Sequence, residues 1–217
     1  MHQIDFYLDF ISPYAYLAFE KLPETLMGLS YSVSYKPVLF AAMLQHHGQL
    51  GPAEIKPKRD WTYRQVAWLA HANGVEMQMP AAHPFNPLPL LRLALAGSAG
   101  GTSNRYVTET IFRHVWRGGA DAADPQRLQA LARQLALQRD ADGAAVKAQL
   151  RVNTEEAITR GLFGVPTMAV DDKLFWGFDA LPMLRDYLCG DAWFASGAWE
   201  AAARLPVGVS RVKGHAA

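Results

Sequence analysis

The chain has 217 residues, half of them hydrophobic, which is enough to fill a core without staples. Its 21 Lys and Arg balance 20 Asp and Glu with no run of like charge, so the basic stripe that a phosphate backbone demands is absent, and no stretch has the roughly 18 apolar residues of a membrane span or the order of a secretory signal. The single cysteine, Cys189, excludes an intrachain disulfide and any paired-cysteine redox or zinc motif, which fits a cytoplasmic location.

Residues 4–10 mix β-favouring side chains in a loose alternation, and Pro13 then presets φ for the first turn of a helix expected over 13–27. Residues 31–38 alternate aromatic or aliphatic side chains with small or polar ones, the period-two pattern of a second strand, parallel to the first. The opening therefore reads as a βαβ unit. From 39 to 156 strand signals vanish, and Ala-, Leu-, Arg- and Gln-rich stretches recur between breakers such as Gly51-Pro52 and Gly118-Gly119. Within this helical block Asp124-Pro125 reads as an N-cap followed by proline at the first helical position, and Leu128, Leu131 and Leu135 keep the spacing of a buried face. Strands return at 167–170 and 174–176 around a tight turn at Asp171-Asp172-Lys173, with a closing helix over 181–188. One more helix is expected over 198–204, and the last ten residues are expected to be mobile.

Strands at both ends with helices between predict an α/β domain interrupted by an all-helical insertion, the two halves sharing one sheet. The expected partition is 1–38 and 157–190 for the two parts of the sheet domain, 39–156 for the insertion and 191–217 for a C-terminal extension. His46, His47, His71 and His114 lack metal-ligand spacing, so no metal is assigned.

Three blocks carry a resemblance: DFISPYAYLA over 9–18, GVPT over 164–167 and FWGFDALPML over 175–184. In this order they are similar to the 2-hydroxychromene-2-carboxylate isomerases and the related kappa-class glutathione transferases, of the DsbA-like branch of the thioredoxin superfamily. Weaker similarity lies in Tyr35-Lys36-Pro37-Val38, in the stretch from Lys56 to Trp61 and around Val115-Trp116. The resemblance implies a thioredoxin-like fold of DsbA or kappa type, glutathione as a recycled cofactor and a small aromatic carboxylate as substrate. It also implies a homodimer. The reaction implied interconverts 2-hydroxychromene-2-carboxylate and trans-o-hydroxybenzylidenepyruvate. A kappa-like transferase and a non-catalytic thioredoxin-fold binding module are the competing readings.

By this resemblance Ser12 takes the place of a redox cysteine, where a hydroxyl can hydrogen-bond the sulfur of glutathione, although a serine there also suits a plain helix cap. Val165-Pro166 is the candidate cis peptide whose edge pairs with the cysteinyl backbone. Trp176, Gly177, Phe178 and Asp179 are expected beside the γ-glutamyl unit, with Asp179 taking its amino group or merely capping the last helix. For the aromatic substrate the candidates are Lys36, Met43, Ala53, Glu54 and His83. Where the isomerases have a substrate-contacting asparagine, this chain has Gly51-Pro52-Ala53-Glu54.

Overall fold

The computed structural model of the chain describes residues 1–98 and 100–209. Strand β1 (His2–Leu8) runs into helix α1 (Pro13–Thr25) and returns through β2 (Tyr31–Pro37), parallel to β1 with His2 opposite Tyr31 and Leu8 opposite Pro37. Helices α2 (Phe40–His46), α3 (Lys56–Ala72), α4 (Leu88–Ala96), α5 (Arg105–Trp116), α6 (Pro125–Gln134) and α7 (Ala144–Thr159) follow before the chain re-enters the sheet. There β3 (Thr167–Val170) and β4 (Lys173–Trp176) form a hairpin through Asp171-Asp172, and the strand order is β2-β1-β3-β4 with β3 antiparallel to β1. Helices α8 (Leu181–Leu188), α9 (Ala192–Ala195) and α10 (Ala198–Ala202) complete the described chain. The two ends share one sheet, as the pattern predicts, and an isolated bridge between Tyr35 and Ser103 ties β2 to the helical block.

The pleat of β1 divides the interior. Ile4, Phe6 and Leu8 face a large core built with α1, α4, α5 and α8, whereas Tyr7 faces a smaller one with Val38, Met43, Ala157, Val165 and Ala169. Phe10 and Phe19 pack on Phe112 at centroid distances of 4.9 and 5.2 Å, which seats α5 of the helical block directly against α1. Asp124 caps α6 by accepting the Arg127 N–H at 2.8 Å, with Leu131 and Leu135 buried and Leu128 partly buried.

Two boundaries differ from expectation in ways that bear on the site. β1 ends at Leu8 because the Asp9 carbonyl already accepts the Ser12 N–H in the turn to α1. The expected end of the insertion at residue 156 falls inside α7, whose Glu156 and Arg160 bond to sheet residues Lys36 and Asp5. Mobility of the last ten residues concerns mainly 210–217, which lie outside the described residues.

Candidate functional site

The turn from β1 to α1 is tied down at every peptide. The Trp116 indole N–H donates to the Phe10 carbonyl at 3.1 Å, Asp9 Oδ1 accepts the Ile11 N–H at 3.1 Å, and the Asp9 carbonyl accepts the Ser12 N–H at 3.1 Å. Ser12 then caps α1, its Oγ accepting the Ala15 N–H at 3.2 Å from an extended backbone (φ −89°, ψ 114°). The capping role is therefore present, and it uses a lone pair of Oγ, leaving the proton. That proton goes to the Val165 carbonyl at 3.2 Å, so the hydroxyl bridges the helix start and the second signature. Both residues are about nine-tenths buried, each 7% exposed.

Val165-Pro166 is a cis peptide. Its neighbourhood holds backbone donors with no partner among the described residues, among them the Val165 N–H and the Tyr14 N–H in the first turn of α1. The Gly177 N–H donates to the Pro166 carbonyl at 2.9 Å, which brings the third signature to the same edge. Gly177 has φ +101°, a backbone conformation that side-chain-bearing residues rarely adopt, so this position favours glycine. The exposed rings of Trp176 and Phe163 lie 4.8 Å apart, with the Trp176 indole against Gly164, forming an apolar shelf beside the cis-proline edge.

Asp179 is exposed and does not cap: the residues capping the Phe178–Ala180 turn and α8 are Gly177 and Ala180, neither with a side-chain bond. Its charge acts on Tyr14. Burial raises the pKa of the Tyr14 hydroxyl, Thr62 opposes this, and the Asp179 carboxylate adds to it. Tyr14 Oη in turn donates to Gln65 Oε1 of α3 at 2.7 Å. Phe178 is an anchor, packed with Leu17, Val66 and Ala70. Ser12, Val165, Trp176, Gly177 and Asp179 thus surround one edge, with free backbone donors, a hydroxyl and a carboxylate. Such a set can hold a thiolate whose own peptide backbone pairs with the edge, and the carboxylate suits an ammonium group.

The sequence profile of the DSBA-like thioredoxin domain matches residues 3–189. The chain belongs to that family. Within it, the chain is 32% identical over 192 residues to 2-hydroxychromene-2-carboxylate isomerase of Sphingobium xenophagum, covering 85% of this chain and 97% of that one. A solved 2-hydroxychromene-2-carboxylate isomerase superimposes with a TM-score of 0.76 at 25% identity, over 90% of this chain and 98% of the other. Glutathione s-transferase kappa 2 of Caenorhabditis elegans is 26% identical over 207 residues, covering 85% and 91% of the two chains.

The remaining candidates of this DSBA-like chain have different surroundings. Lys36 points to the α7 face of the sheet, its Nζ 2.8 Å from Glu156 and 3.1 Å from Asp5, within a cluster that includes Tyr7 and Arg160. Burial alone would depress the ammonium pKa, but the bonds to Glu156 and Asp5 outweigh it and raise it. A lysine so neutralised has little charge to offer a carboxylate, and nothing joins it to Ser12. Met43 is a correction: it is fully buried in the smaller core with Tyr7, Val38 and Val165, because α2 turns it inward, and it has no surface for substrate. Glu54 closes its own short helical turn (Pro52–Glu54) by accepting the Gly51 N–H, and Ala53 sits half-buried within that turn. His83 does reach the site region, with Nε2 2.8 Å from the Ile11 carbonyl.

Sequence reasoning gave no role to Asp9, Tyr14, Tyr63 or Trp116. For Asp9 there was a signal: an acid closing an apolar strand in front of a helix start has few places to go except inward.

Proposed function

We propose that the protein is a glutathione-dependent isomerase interconverting 2-hydroxychromene-2-carboxylate and trans-o-hydroxybenzylidenepyruvate. The observation that carries this reading is the Ser12 hydroxyl at the meeting of a helix start and the cis-proline edge, bonded to Val165, with the Tyr14 and Val165 N–H groups beside it unpartnered among the described residues. The names of its relatives supply the substrate class and the cofactor. A glutathione-using role accords with a cytoplasmic setting, and the branch suggests a homodimer.

When bound, glutathione supplies a nucleophilic thiolate that adds to the conjugated substrate and leaves unchanged, so that the carbon–carbon double bond is single for long enough to rotate. The chain's own residues make that thiolate available and hold it in place. A free thiol titrates near 8.5, and lowering that by two units requires about 2.7 kcal/mol. Ser12 contributes by swinging its proton from the Val165 carbonyl to the sulfur while its lone pair still caps Ala15. The start of α1 contributes partial positive charge and the free Tyr14 N–H. Val165 fixes the peptide portion through its N–H, and Asp179 takes the ammonium group. The Phe163–Trp176 shelf excludes water on one side.

Mixing the purified protein with 2-hydroxychromene-2-carboxylate, with and without glutathione, tests the proposal through the change in ultraviolet absorbance on ring opening and through chromatography of the products. The expected result is acceleration only with glutathione, the isomer as product and the glutathione fully recovered. A thioether product would replace this reading with that of a kappa-like transferase, and no acceleration would refute the substrate assignment.

A further inference from the structure

The Ile11–Ser12 peptide is gripped from two sides. Its N–H is held within the turn by the Asp9 carbonyl, while its carbonyl is held by His83, a residue 72 positions away in the loop between α3 and α4. His83 Nε2 lies 2.8 Å from the Ile11 oxygen. A carbonyl can only accept, so Nε2 carries the proton and Nδ1 is left to accept. The Tyr63 hydroxyl of α3 stands 2.8 Å from Nδ1 and 2.8 Å from the His83 carbonyl, on the side of the ring away from Ile11, and shares its one proton between these two acceptors. The imidazole is also walled in by aromatic rings, with centroids at 5.4 Å for Tyr63, 5.9 Å for Phe85 and 5.7 Å for Trp116. Trp116 reaches the same turn through its bond to the Phe10 carbonyl. Both nitrogens of His83 are thus engaged, and the ring is directed at the backbone that carries Ser12 rather than at a ligand.

We propose that His83 is a positioning residue for Ser12: its Nε2–H holds the Ile11 carbonyl and thereby sets where the Ser12 hydroxyl points, and Tyr63 keeps the imidazole in the tautomer that does so. The peptide plane between Ile11 and Ser12 determines the direction of the Ser12 Cα–Cβ bond. An unheld carbonyl lets that plane rock, and displacement of a sulfur-binding hydroxyl by a fraction of an ångström weakens its bond to the anion. The helical block thereby tunes a hydroxyl that belongs to the sheet domain. The catalytic consequence rests on the glutathione reading of Ser12, whereas the backbone geometry does not.

The test compares His83→Phe, His83→Gln and Tyr63→Phe in the full-length protein. Phenylalanine keeps the packing and removes the donor, and glutamine places an amide N–H close to where Nε2–H stood. The first readout is nuclear magnetic resonance of the isotope-labelled Ile11 carbonyl and Ser12 amide without glutathione. The second is the thiol pKa of bound glutathione, followed by thiolate absorbance. In His83→Phe both resonances move, the bound thiol pKa rises by about one unit and turnover falls about tenfold, with KM for the aromatic substrate unchanged. His83→Gln restores most of each, and Tyr63→Phe shifts the same resonances in the same direction by less, carrying the test alone if His83→Phe does not fold. Unmoved Ile11 and Ser12 resonances in His83→Phe, or in Tyr63→Phe where that variant carries the test, would overturn the proposal. So would a His83→Gln protein as impaired as His83→Phe. Failure of the glutathione reading looks different: the parent protein would not bind glutathione, while the Ile11 resonance would still respond to His83→Phe.

Discussion

Replacing Ser12 by alanine is expected to leave the fold intact, to destabilise it by about 1 kcal/mol through loss of the α1 cap, and to slow turnover by about two orders of magnitude. The disproportion is the informative part. A cap contributes to folding alone, so a serine that only capped would produce a small shift in melting temperature and an unchanged rate. Here the same oxygen accepts from Ala15 and donates toward Val165, and the donated proton is the one that a bound sulfur would take. Its removal leaves a thiolate with backbone N–H groups and the helix start for support, so the bound thiol pKa should rise toward that of free glutathione. Thiolate absorbance of the glutathione complex across pH measures this. A Ser12→Ala protein with the parent's thiol pKa would remove Ser12 from the mechanism.

The second large effect is expected at Asp9. Its carboxyl is fully buried, with Oδ1 on the Ile11 N–H at 3.1 Å and Oδ2 on the Phe40 N–H at 3.0 Å. Burial pushes its pKa up from 3.8 to about 7, overcoming the opposing pull of the backbone bonds from Phe40, Ile11 and Phe10. Between those two values the folded chain keeps a proton that the unfolded chain has released. Stability is therefore greatest below the unfolded value and is lost as pH rises to about 7, by up to about 4 kcal/mol, with no further loss from this group above that. Asp9→Asn cannot ionise, so its stability should lack this slope. Because the asparagine amide offers one acceptor where two N–H groups need one each, the variant should also loosen the Ile11 turn and slow turnover. Urea unfolding of both proteins from about pH 4 to about pH 8 checks it, the free-energy difference between them narrowing or reversing as pH rises. Parallel curves would show that Asp9 is not the titrating group.

The parts of this molecule legible in the sequence are those fixed by local chemistry. Pro13 after a serine marks the start of α1, Asp124-Pro125 marks that of α6, and the alternation through 31–38 marks β2. Three motifs far apart in the chain were expected to share a site, and Ser12–Val165 and Gly177–Pro166 bonds join them. What was not legible depends on which way a side chain faces in the packed protein. Lys36 in an isolated strand reads as an available cation, and its two carboxylates come from β1 and from a helix 120 residues on. Met43 reads as pocket lining until α2 turns it into the smaller core. His83 in a proline-rich loop gives no hint that its ring reaches Ile11, because that contact depends on how α3, α4 and α5 pack against α1.

The central claim is that the edge between Ser12 and Val165 receives glutathione, and amide resonances of the isotope-labelled protein titrated with glutathione test it most directly. The Tyr14 and Val165 N–H groups at that edge have no partner among the described residues and should gain one. The account predicts that the Tyr14 and Val165 amides shift most, with Gly177 and Ser12 following and the amides of α6 unaffected. Binding that leaves Tyr14 and Val165 unmoved while shifting residues elsewhere would contradict it.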